Sequence, residues 1–141
     1  MKKIQFSFFL PNKAGELARL SEVLAKAGVN IEGLAISDGI HAGVVKIVVD
    51  NPDQARVVLQ EAEMPFSEQQ VLAVNLPNNP GALAELCAKL AKDGLSIDYV
   101  YGSTCGHDDA CKCECRLLVS VADLHTAEAA IGLVMSGWPR P

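Results

Sequence analysis

The amino-acid sequence predicts an α+β chain of two consecutive βαββαβ units, each an antiparallel sheet with helices on one face. Three observations carry this reading. The sequence repeats itself at an offset of 66 residues. In each copy a period-two apolar alternation gives way to helical spacing at the same point. The turn-forming residues between the two patterns recur as well.

At that offset Leu10, Pro11, Asn12, Gly15, Leu17, Ala18 and Leu20 fall on Leu76, Pro77, Asn78, Gly81, Leu83, Ala84 and Leu86. The match continues through Leu24/Leu90, Ala25/Ala91, Lys26/Lys92, Gly28/Gly94, Ile31/Ile97 and Ser37/Ser103. Identities at turn residues as well as apolar ones mark a duplication.

Ile4, Phe6, Phe8 and Leu10 alternate with mostly polar neighbours, as do Leu72, Val74 and Leu76, which predicts a half-buried first strand in each copy. A turn follows at residues 11–15 and 77–81. A helix comes next, with Leu17, Leu20 and Leu24 on one stripe and Leu83, Leu86 and Leu90 on its counterpart. Gly28 and Gly94 stand where a left-handed residue ends a helix at least cost. Second strands begin at Val29 and Leu95, and third strands fall at 44–49 and 116–122. From here the copies align at an offset of 72, which pairs Asn51 with Asp123 as helix N-caps and Ala55 with Ala127. Pro52 suits a first helical position, where its missing N–H is no loss. The second helices are predicted at 52–63 and 124–135. The last strand of copy one falls at 64–69, and in copy two it is short or absent, because 136–141 holds two prolines. The domains are therefore read as 1–69 and 70–141.

The chain has 141 residues, half of them hydrophobic, enough for a real core and against general disorder. Its net charge is −5, with −1 on residues 1–66 and −4 on 67–141. Neither half clusters Lys and Arg, which argues against nucleic-acid binding. No apolar run approaches the ~18–20 residues of a membrane span. The start of the sequence lacks a signal-peptide pattern and the cysteine count is odd, so a reducing, cytoplasmic setting is expected. Neither a Gly-rich phosphate loop nor a nucleophile motif is present. The chain is read as a non-enzyme that needs no cofactor.

The Asn-x-x-Gly turn carries the most informative chemistry. A glycine between strand end and helix start lets backbone approach a bound group. The first-turn N–H groups, backed by the helix dipole, favour a carboxylate. Asn12 and Asn78 add an amide that both donates and accepts, suited to a zwitterion. The same residues also serve as plain caps and turn formers, so both readings stand on the residues alone.

Pro77-Asn78-Asn79-Pro80-Gly81-Ala82-Leu83 and Gly94-Leu95-Ser96-Ile97 resemble the Asn-x-Pro-Gly-x-Leu turn and the Gly-Val/Ile-Asn-Ile strand entry of the ACT-domain family. Copy one reads Asn12-Lys13-Ala14-Gly15-Glu16-Leu17, with Ala14 where the family commonly has Pro, and Gly28-Val29-Asn30-Ile31. The resemblance covers nearly the whole chain as two tandem ferredoxin-like domains. It implies a regulatory protein without a catalytic domain that binds an amino acid or similar metabolite and associates as a homodimer or with a regulated enzyme. It assigns ligand contacts to Asn12, Lys13, Ala14, Gly15, Glu16 and Leu17, and to Asn78, Asn79, Pro80, Gly81, Ala82 and Leu83. Asn30 is implied as a second amide contact; copy two has the shorter Ser96, so the two sites are expected to be unequal.

Copy two also gains six residues around 104–116, and four of the five cysteines fall in or beside that insertion. Cys105, His107, Cys111 and Cys113 supply the ligand types of a structural zinc site or a thiol switch, which gives the alternative of a metal- or redox-responsive protein. The spacing is not that of a zinc knuckle. Cys111, Cys113, Cys115, Leu117, Val119 and Val121 form one period-two series, the pattern of a strand's apolar face, with Lys112, Glu114, Arg116 and Ser120 on the other. Cys87 reads as part of a helical core stripe.

Overall fold

The computed structural model describes residues 2–11, 13–37, 42–103 and 114–136. Ten elements follow one another: β1 (Lys2–Pro11), α1 (Glu16–Lys26), β2 (Ile31–Ser37), β3 (Ala42–Val49), α2 (Pro52–Glu61), β4 (Ser67–Pro77), α3 (Ala82–Lys92), β5 (Ile97–Ser103), β6 (Glu114–Val121) and α4 (Leu124–Ser136). They form two compact units, Ile4–Gln69 and Gln70–Pro141, with Met1–Lys3 going to the second.

In the first unit the strand order is β2-β3-β1, with β3 antiparallel to both neighbours. Phe6 lies opposite Ile47 and Phe8 opposite Val45, so the period-two pattern brings large apolar residues to one face. Leu20 and Leu24 of α1 and Ala55 and Leu59 of α2 pack on that face, and all of these side chains are buried. Phe66 closes the cluster edge-on to Phe6, with ring centroids 5.2 Å apart.

The second unit runs β4-β6-β5, again antiparallel. Leu72, Val74, Leu117 and Val119 face Leu86 and Leu90 of α3 and Ala127 and Ile131 of α4. The opening residues of β1 belong here, where Lys2 Nζ lies 2.9 Å from Glu128 Oε2 on α4. The expected last strand of copy two falls largely on residues 137–141, outside those described.

Local geometry repeats as closely as the sequence. After α1, Val29 N–H reaches Leu24 C=O at 3.0 Å and Gly28 N–H reaches Ala25 C=O at 3.0 Å. After α3, Leu95 N–H reaches Leu90 C=O at 2.9 Å and Gly94 N–H reaches Ala91 C=O at 3.0 Å. This is the Schellman pattern, and Gly28 (φ 70°) and Gly94 (φ 71°) take its left-handed position. α2 ends in the same pattern with Glu63 (φ 53°) in that place. The second strands share a bulge as well, at Ile31–Gly33 and Ile97–Tyr99.

Three details depart from the sequence reading. Of the stretches read as two strands, 64–69 and 72–76, residues 67–69 and 72–76 form one continuous β4, with no glycine or proline to interrupt 67–76, while 64–66 lie outside any strand. Leu83 is 49% exposed rather than in the core stripe, and Ala82 is buried instead. Its counterpart Leu17 at the head of α1 is half-buried against the first core, so the two copies differ here. Ser120, read as an outward polar residue, is buried between β4 and β5, where its hydroxyl lies 3.4 Å from Asp98 Oδ2.

Candidate ligand-binding site

The two turns ahead of α1 and α3 have the same hydrogen-bond plan. Lys13 N–H donates to Pro11 C=O at 2.8 Å, and Asn79 N–H donates to Pro77 C=O at 2.9 Å. Glu16 N–H meets Lys13 C=O at 3.4 Å, as Ala82 N–H meets Asn79 C=O at 3.4 Å. Arg19 N–H donates to Gly15 C=O and Glu85 N–H to Gly81 C=O, both at 2.9 Å.

Gly15 and Gly81 are the N-cap residues, at φ 94° and φ 98°, a region that L side chains rarely adopt. Being glycines, they give α1 and α3 no side-chain cap of their own. The second helix of each copy is different. Asn51 Oδ1 accepts from Gln54 N–H at 3.1 Å ahead of α2. Asp123 accepts from Thr126 N–H at 3.0 Å and from its hydroxyl at 2.6 Å ahead of α4. Those starts are closed by their own caps, whereas α1 and α3 begin on a glycine without one. A Cβ built on Gly15 or Gly81 meets nothing within 4 Å, so the space beside each turn is open. Each glycine is there for its backbone conformation, not for close packing.

The structure places the predicted contacts as follows. Lys13, Ala14, Gly15, Asn79, Pro80 and Gly81 are exposed around the turns. Glu16, Leu17 and Asn78 are half-buried, Ala82 is buried, and Leu83 leans out at the head of α3. Asn12 lies outside the described residues. Asn30 is exposed at the far end of α1 from the Gly15 turn, about 16 Å away along eleven helical residues. Its backbone is pinned to Asp50: Asn30 N–H donates to Asp50 Oδ1 at 2.9 Å and Asp50 N–H to Asn30 C=O at 3.1 Å. Copy two has Ser96 and Ala122 in these places and lacks that carboxylate.

Two features of the turns go beyond the sequence reading. Glu16 sets a carboxylate at the first position of α1, where Ala82 stands in α3. Arg19 Nη2 donates to Ala62 C=O at 3.0 Å, which ties the start of α1 to the end of α2. The offset of 66 exposes the first asymmetry directly, while the second needs the fold. A shallow, open hollow of about 480 Å³ lies beyond the end of α2, lined by Gln60, Glu63, Met64, Pro65 and Phe66. None of the predicted contacts lines it.

Cys105, His107, Cys111 and Cys113, the residues of the metal or redox alternative, lie outside the described residues. Among the described residues no cluster of three or more His, Cys, Asp or Glu is arranged to hold a metal ion. No helix described is long and apolar enough to cross a membrane.

A repeated βαββαβ-like unit, its last strand in copy two outside the described residues, with a glycine-led helix start in each copy, defines a tandem ferredoxin-like protein. The sequence matches the family described as an ACT domain pair over residues 1–111, and the chain belongs to that family. A comparison with curated proteins finds no match. Among solved structures, a protein from Bacteroides thetaiotaomicron is similar with a TM-score of 0.85 at 27% identity, over 96% of this chain and 90% of its own. The regulatory subunit of aspartate kinase from Thermus thermophilus is similar with a TM-score of 0.67 at 17% identity, over 97% and 93%. The corresponding subunit from Thermus flavus has a TM-score of 0.64 at 17% identity, over 96% and 91%. At that identity the two subunits share the fold with this chain.

Proposed function

We propose that the chain is a non-catalytic regulatory module that binds a small amino acid or similar metabolite through its glycine-led turns. The reading rests on one observation above the others: α1 and α3 begin on a left-handed glycine without a side-chain cap, while α2 and α4 are capped. First-turn amides and the positive end of the helix dipole receive the ligand carboxylate. The amides of Asn78 and Asn12 then serve the polar groups of the zwitterion. The Gly81 turn is the stronger acceptor, because Glu16 sets its own negative charge at the head of α1 and Ala82 sets none at α3. Leu83 offers the guest an apolar wall there.

Regulation follows if the bound ligand changes how the chain associates with a second copy or with an enzyme it controls. The aspartate kinase regulatory subunits that share the fold support the second kind of partner. A cytoplasmic setting fits this role.

A thermal-shift screen of the twenty amino acids tests the reading. Binding to the native state stabilises it by about 2.7 kcal/mol at a ligand concentration a hundred times Kd. At least one small or branched-chain amino acid raises Tm, and Asn78→Ala shrinks the rise more than Asn12→Ala does. A flat screen on folded protein overturns the proposal.

A further inference from the structure

We draw no further inference here: the strongest candidate, the exposed apolar margin of edge strand β2 at Leu34 and Ile36, carries nothing because nothing in the structure shows what covers it.

Discussion

Among the described residues, four glycines with positive φ punctuate the two copies, yet they answer to different demands. Gly28 and Gly94 end helices, whereas Gly15 and Gly81 begin them. A Cβ on Gly94 meets nothing within 4 Å, so Gly94→Ala isolates the conformational cost of φ 71°. That variant loses about 1 kcal/mol in urea unfolding. Glu63 takes the equivalent left-handed place after α2. Glu63→Gly relieves its strain and gains up to about 1 kcal/mol, offset in part by the freer unfolded chain. A loss in the Glu63 variant would contradict this reading of the α2 terminus. Glycine positions are legible in the sequence because the residue itself announces the conformation, and Glu63 is not, because nothing in a glutamate does. Gly102 is a third case: its Cβ would collide with the carbonyl oxygen of Arg116 and the side chain of Leu117, so close strand pairing excludes a side chain there.

Among the described residues, three carboxylates are held below the usual range. Hydrogen bonds from Arg56 act on Glu68, those from Thr126 on Asp123, and one from Lys2 on Glu128. Since the folded value lies below the unfolded one in each case, their contribution is complete above the unfolded pKa, about 4. It is lost as pH falls through the lowered folded value. Stability is therefore level with respect to these groups near neutrality and falls below about pH 4, and Glu68→Gln makes that fall shallower. Urea midpoints at pH 7, 5 and 3 measure it, and an unchanged slope in the variant would remove Glu68 from the account.

At the scale of elements, the helices were the most legible part of the chain. Their starts follow from Asn51 and Asp123 and from the Asn-x-x-Gly turns, and their ends from Gly28 and Gly94. Strand limits were less so. Residues 64–66 read as part of a strand because copy one must end in one just before the next copy begins, but they instead leave α2, and Met64 and Phe66 close the core. Leu83 misleads as well: the same spacing that sets its counterpart Leu17 against the core leaves Leu83 49% exposed. The start of β1 was harder still, since no sequence pattern assigns Lys2 to α4. That pairing predicts a local effect. Lys2→Glu sets a carboxylate against Glu128 and speeds hydrogen exchange in α4 more than in α2. Equal acceleration in both helices would contradict it.

At the scale of the whole chain, duplication explains most of what the sequence conveys. Each copy supplies its own core of buried strand and helix residues, and each keeps the same turn, the same bulge and the same helix ending. Repetition makes the architecture readable, because a pattern seen twice at one offset is not an accident of composition. The chemistry of the turns is readable for the same reason, down to the contrast between Glu16 and Ala82. A ligand's identity is not written this way, since backbone amides recognise a carboxylate whatever side chain it carries.

The proposed binding of a carboxylate at the glycine-led turns is tested most directly by following backbone amides in ¹⁵N-edited NMR spectra as amino acids are titrated. The account predicts saturable shifts centred on the amides of Leu83 and Ala84, with weaker ones at Leu17 and Ala18. Titrations that leave both sets unmoved, or that move only amides remote from the two turns, would contradict it.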